Sequence, residues 1–231
     1  MAHGKKYRSA SEKVDHNQQY PLEKAVDLVK GMAYAKFDET VEVSMKLNIK
    51  SKHTIRDVMA LPHLFGKEKQ ILVFAKGDKA EEARKAGAAF VGDNDLIEKI
   101  RGGWLDFDIA VATPDMMKDV GELGQILGRR GLMPNPKTQT VTFNIKEAMD
   151  ELKKGRVEYR ADKTWVVHLA VGKLSMDKEK IRDNAIAFVS EVVRKRPPDV
   201  KGDFVKSVTV STTMGPGIKI SAKDKTFAGQ A

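Results

Sequence analysis

Four hydroxyl side chains at alternate positions, Ser207, Thr209, Ser211 and Thr213, are the residues of this 231-residue sequence whose types and spacing best suit chemistry with a partner. They alternate with Val208, Val210, Thr212 and Met214, the period-two pattern of a strand with one apolar and one hydroxyl-bearing face. Hydroxyls donate and accept hydrogen bonds without carrying charge, so such a face suits bulk water or a polar partner equally. Met214-Gly215-Pro216-Gly217 ends the pattern. The two glycines can take positive φ, and Pro216 fixes its own φ and lacks an N–H. A second run, Thr40 to Lys50, has the same grammar, with Val41, Val43, Met45 and Leu47 on one face and Thr40, Glu42, Ser44 and Lys46 on the other.

Catalytic constellations are missing from the sequence. The five histidines (His3, His16, His53, His63, His168) have no H-x-x-x-H or similar ligand spacing, so no metal is expected. Gly121, Gly124, Gly128 and Gly131 give G-x-x-G-x-x-x-G-x-x-G, which matches neither a dinucleotide fingerprint nor a phosphate loop. No G-x-S-x-G or kinase-type set occurs. The expectation is a protein that is not an enzyme and takes no cofactor.

The charge says more once divided. Of 41 basic and 32 acidic side chains, residues 1–66 carry 11 and 8, residues 67–160 carry 17 and 16, and residues 161–231 carry 13 and 8. The basic excess therefore sits at the two ends, where it suits a polyanion. There is no cysteine, which excludes disulfides and thiolate zinc sites and fits a reducing compartment. The N-terminal stretch lacks the apolar core of a secretory signal, and no apolar run is long enough to span a bilayer. A soluble, cytoplasmic protein without membrane contact is expected.

The elements that must position the hydroxyls follow the same division. Tyr7 to His16 reads as a basic, partly helical lead-in, and Pro21 to Met32 as a helix with Leu22, Ala25, Val26 and Val29 on one face. Asp57 to Pro62 reads as a short strand. From Gln70 strands alternate with helices: strands at 70–75, 89–91 and 108–112, helices at 79–86, 95–101, 116–127 and 144–154, with 156–160 leading out. That alternation predicts a small parallel sheet covered on both faces. Trp165 to Val171 then reads as a strand, and Asp177 to Lys195 as a long helix stopped by Pro197 and Pro198. The predicted fold class is α/β (α+β): an open-faced, two-layer α+β domain from residues 1–66 and 161–231, with residues 67–160 inserted as a second, α/β domain.

Between Gly128 and Thr142 the sequence GRRGLMPNPKTQTVT sets Arg129, Arg130 and Lys137 among two prolines, a stiff and basic loop. This segment closely resembles the signature of the ribosomal L-one family of large-subunit stalk proteins. The resemblance extends to Lys36-Phe37-Asp38-Glu39-Thr40-Val41-Glu42-Val43, to Gly102-Gly103-Trp104-Leu105-Asp106-Phe107-Asp108, to Ala112-Thr113-Pro114-Asp115 and to Thr212-Thr213-Met214-Gly215-Pro216. It implies an RNA-binding domain built from both chain ends and an inserted, three-layer Rossmann-like domain. It further implies a monomer when free that binds large-subunit rRNA at the mobile stalk, represses its own operon mRNA, and lies toward the exit-site tRNA.

Carried over onto matching positions, the resemblance assigns RNA contacts to Lys36, Phe37, Thr40, Glu42, His168, Ser207, Thr209, Ser211, Thr213, Met214 and Gly215. Hydroxyls suit ribose 2′-OH and phosphate oxygens on the wide RNA minor groove. Phe37 and Met214 suit packing on a sugar or base, Gly215 a close backbone approach, and Glu42 a donor on the RNA. Arg129, Arg130 and Lys137 form the basic loop of the second domain. Four residues depart from the family pattern: Arg129 stands where proline is usual, and Asp57, Leu64 and Gln139 where glycine is. A β-bulge or turn requiring positive φ at Asp57 or Leu64 would be strained.

Overall fold

Alternation of buried and open positions along the whole of Thr40–Leu47, and along Val205–Thr212 from Ser207 onward, makes these two segments the centre of the larger sheet. The structure, a computed structural model, describes residues 4–49, 55–66, 69–200 and 202–221. Lys50, the end of the expected second strand, lies outside them. In chain order the elements are α1 (Lys5–Ser11), α2 (Leu22–Gly31), β1 (Thr40–Leu47), β2 (Arg56–Ala60), β3 (Ile71–Phe74), α3 (Asp78–Lys85) and β4 (Phe90–Gly92). There follow α4 (Asn94–Arg101), β5 (Ile109–Ala112), α5 (Met117–Gly121), α6 (Gly124–Arg130) and α7 (Ile145–Lys153). The chain closes with β6 (Arg156–Arg160), β7 (Val166–Lys173), α8 (Lys178–Arg194), β8 (Val205–Thr212) and β9 (Ile218–Ile220). It divides into two units, Met1–Gly66 with Val157–Ala231, and Lys67–Arg156.

The first unit is an antiparallel sheet in the order β7-β1-β8-β9 with helices on one face only. Val41, Val43, Met45 and Leu47 of β1, Val208 and Val210 of β8, and Ile218 and Ile220 of β9 point inward. They meet Leu22, Ala25, Val26 and Val29 of α2 and Ile181, Ala185, Phe188 and Val192 of α8 in one apolar cluster. Burying a side chain such as Phe188 contributes about 2–3 kcal/mol. The fully buried Asn184 is satisfied: its Oδ1 accepts the His63 N–H at 2.9 Å, and its Nδ2 donates to the carbonyls of His63 and Val171, both at 2.8 Å. The strand read at 57–62 does not join this sheet; β2 pairs with β6 instead, and the fourth place is taken by β9. Because β6 pairs with β2, the division falls at Arg156 and not at residue 160.

The second unit is a parallel sheet in the order β4-β3-β5. All four residues of β3 are buried, as a strand covered on both faces requires. Leu72 and Phe74 pack with Leu96, Ile97 and Ile100 of α4, Val120 of α5 and Leu127 of α6. Ile71 and Val73 face Ala83 of α3 and Ile145, Met149 and Leu152 of α7. Three layers result. The single helix expected over 116–127 is split into a 3-10 turn (Pro114–Met116), α5 and α6, with the breaks beside Gly121 and Gly124, residues of low helix propensity.

Two non-glycine residues among those described take positive φ: Gln139 at 55° and Trp165 at 63°. The strain foreseen for a positive φ at Asp57 or Leu64 does not arise, since neither has positive φ. It falls on Gln139, the departure in the second unit for which no strain was foreseen. Asp57 is instead paired with Lys195 Nζ at 2.5 Å, and this ion pair raises the lysine's pKa. The Gln139 side chain also accepts a hydrogen bond from Arg156 at 2.6 Å, so its effects are best separated by a pair of variants that both lack the amide. Gln139→Gly should be more stable than Gln139→Ala by about 1 kcal/mol, the cost of a Cβ in the left-handed region. Equal melting temperatures would refute this.

Candidate nucleic-acid interface

The uncovered face of the β7-β1-β8-β9 sheet gathers most of the residues singled out by sequence. Antiparallel register places them in rows. Val166, Lys46 and Ser207 form one, His168, Ser44, Thr209 and Lys219 the next, Ala170, Glu42 and Ser211 the third, and Lys173 lies against Thr40 at the end. A bulge opposite Lys46 and Leu47 leaves both Lys206 and Ser207 exposed on β8. Among the described residues, no side chain is bonded to the hydroxyls of Ser207, Thr209 or Ser211, and Glu42 is exposed. Two other hydroxyls are engaged. Ser44 Oγ lies 2.8 Å from His168 Nδ1, and Thr40 Oγ1 accepts from Lys173 Nζ at 2.6 Å. The result is a face of hydroxyls bordered by the lysines at 46, 173, 206 and 219, with Glu42 as an acceptor within it.

Thr213 departs from this pattern because the strand ends at Thr212. Its Oγ1 accepts the Thr40 N–H at 3.0 Å, sealing the end of the β1–β8 ladder. Met214 leaves the inward face predicted by alternation and stands 49% exposed, beside a loop whose Phe37 is 55% exposed. Lys36 is exposed in the same loop.

A carboxylate that sequence reasoning passed over holds these two loops together. Glu39 is only 1% exposed. Its Oε2 accepts the Met214 N–H at 3.0 Å and its Oε1 the Ala35 N–H at 3.2 Å. Burial alone would raise its pKa, but the N–H groups of Met214, Ala35 and Tyr34 and the Thr212 hydroxyl together hold it below the ordinary carboxylate value. From the side, Tyr34 Oη donates to the Met214 carbonyl at 2.5 Å. The turn carrying Met214 is thus gripped at both its N–H and its C=O. The signal was present in the sequence: Glu39 shares the odd-numbered, inward phase of Val41, Val43 and Met45, and Thr212 shares that of Val208 and Val210.

Gly215 and Gly217 do not use the positive φ open to glycine. Gly215 is required for space. A Cβ there would sit 2.3 Å from Thr212 Oγ1, an oxygen that already accepts the Gly215 N–H at 3.0 Å and bonds Glu39. That hydroxyl cannot swing away without releasing the clasp.

In the second unit, Arg129 and Arg130 are exposed in the last turn of α6, which Gly131 ends at φ 71°. The loop beyond is closed on Asn135, whose carbonyl accepts Thr138 N–H at 3.1 Å and Thr138 Oγ1 at 3.0 Å. Lys137 falls in the 3-10 turn Pro136–Thr138, and its side chain lies outside the described ones. Among the described residues, no three His, Asp or Glu side chains gather as metal ligands.

An open-faced α+β unit with a hydroxyl and lysine sheet face, joined to a three-layer α/β unit, defines the class. The model of the ribosomal protein L1p/L10e family matches residues 29–216. The chain is 60% identical over 218 residues to the large ribosomal subunit protein uL1 of Borreliella burgdorferi, covering 94% of this chain and 96% of that one. It is 59% identical over 223 residues to the protein of the same name from Treponema denticola, covering 96% and 99%. The chain belongs to the ribosomal protein L1p/L10e family, whose members are structural and non-enzymatic.

Proposed function

We propose that this chain is a constituent of the large ribosomal subunit whose first unit binds a folded region of large-subunit rRNA through the β7-β1-β8-β9 face. The observation that carries the reading is the union of two features: free hydroxyls in rows between lysines, and two exposed apolar side chains, Phe37 and Met214, at the end of those rows. Hydroxyls at strand spacing fit the 2′-OH groups and phosphates of an RNA minor groove. The lysines supply the attraction that every polyanion shares. Phe37 and Met214 supply a patch that loses water only against a surface of matching shape.

Two finer assignments belong to the same reading. The arginines at 129 and 130 turn the second unit toward the exit-site tRNA, and the first unit recognises a copy of the rRNA site in the protein's own operon mRNA, repressing its translation. The protein works in the cytoplasm on the ribosome and is a monomer when free.

The test is affinity for a stalk-region rRNA fragment against an unrelated folded RNA of equal length, each at low and moderate salt. A preference of at least a hundredfold that persists at the higher salt is expected. Equal affinities that fall together as salt rises would reduce the interface to phosphate attraction and refute the reading.

A further inference from the structure

The lead-in helix α1 is not a detached tail. Ala10 is buried, and Val14 beyond the helix is buried too; both join the core of the first unit. This anchoring fixes the first turn of α1, with Lys5 and Lys6 exposed, across from the turn that carries Met214. Between them runs a cleft of about 570 Å³, walled by Lys5, Lys6 and Tyr7 on one side and by Tyr34, Thr213 and Met214 on the other. That is room for a nucleotide unit.

The chemistry of its walls is asymmetric. Among the described residues, no carboxylate pairs with Lys5 or Lys6, whereas Lys178 is paired with Asp27 and Lys195 with Asp57. Two neighbouring ammonium groups without counter-charge invite a phosphate. Opposite them, Tyr34 Oη spends its one proton on the Met214 carbonyl, so its lone pairs remain as an acceptor. A ribose 2′-OH is a donor that fits such an acceptor, and a deoxyribose is not. The turn between is rigid, because Glu39 holds the Met214 N–H from behind.

Resting on the reading above, we propose that this cleft is a sugar-phosphate subsite for the same RNA strand as it leaves the sheet face past Met214. Lys5 and Lys6 hold the phosphate, and Tyr34 accepts from the ribose 2′-OH. The site extends the interface by one unit of backbone and carries no base preference of its own.

The full-length variant K5A/K6A tests this beside K178A/K180A, which removes the same charge from the helix layer. Binding of the stalk-region rRNA fragment is measured over a salt series. For K5A/K6A the affinity at low salt should fall about tenfold, and the slope of log K against log salt should shrink by about 0.7–1, the value of one lost phosphate contact. K178A/K180A should lie within about twofold of the parent, the scatter of a surface charge not in contact with the RNA. A second measurement is independent of any variant: bound rRNA should protect Lys5 and Lys6 from an amine-acylating reagent and leave Lys178 reactive. Equal behaviour of the two double variants, or unprotected Lys5 and Lys6 in the complex, overturns the subsite while the rRNA reading stands. A parent protein that shows no preference for the stalk fragment overturns that reading, and the subsite with it.

Discussion

Replacing Glu39 by alanine should cost the first unit about 3 kcal/mol of stability and weaken binding of the stalk-region rRNA at least a hundredfold, about 2.7 kcal/mol. Both effects come from one cause. The carboxylate is the shared acceptor for the Met214 and Ala35 N–H groups and the Thr212 hydroxyl, in a place almost closed to water. Without it these donors are buried and unpaired, and the loops bearing Phe37 and Met214 lose their tie to one another. Glu39→Gln is the sharper probe. The amide fills the same volume, but it offers one acceptor oxygen, and its NH₂ confronts an N–H.

The charge gives this clasp a pH signature. The folded pKa of Glu39 lies below the ordinary carboxylate value, so the ionised form is the one that folding favours. Its stabilisation is complete above the unfolded value of about 4.3 and is lost as pH falls through the lower folded value. Asp162 and Asp177, whose pKa values are also lowered, titrate in the same direction. The readout is therefore the difference in melting temperature between the parent and E39Q, followed from pH 7 to pH 3. A gap that is wide near neutrality and closes in acid is expected. A gap independent of pH would mean that the carboxylate's charge contributes nothing.

Much of this architecture could be read from the chain because one physical rule governs each part. Val41, Val43, Met45 and Leu47 alternate with polar residues since one sheet face is dry, and the same holds for Val208 and Val210. Ile71 to Phe74 do not alternate since both faces of that strand are covered. What escaped was set by tertiary contacts. Asp57 to Pro62 has the composition of a strand, but nothing local says that its partner is β6 and not β1. Met214 continues the alternation in sequence while the strand has already ended at Thr212, and this turned a predicted inward side chain outward. The glycine at 215, free in principle to take positive φ, is instead a demand for space. Glu39 was hidden by its type: a carboxylate on an inward phase becomes intelligible only when the donors from a loop 175 residues away are seen to meet it.

The double variant F37A/M214A should move affinity without the pH signature of the Glu39 variants. About half of each side chain is already buried in the free protein, so the two truncations together cost about 2 kcal/mol of stability and the melting temperature should fall by about 4–8 °C, equally at pH 7 and in acid. On the RNA the exposed halves lose their water. Taking roughly 100 Å² for each at about 25 cal/mol per Å², the gross gain is about 5 kcal/mol, from which ordering of the two side chains takes about 1–3. A loss of about a hundredfold in affinity remains, carried by groups without charge. It should therefore be the same at low and moderate salt, whereas the loss from K5A/K6A should shrink as salt rises. A loss below tenfold, or one that fades with salt, would show that Phe37 and Met214 are not packed against the RNA. Recognition would then rest on the hydroxyl rows alone, and Ser207, Thr209 and Ser211 would have to account for the preference between one folded RNA and another.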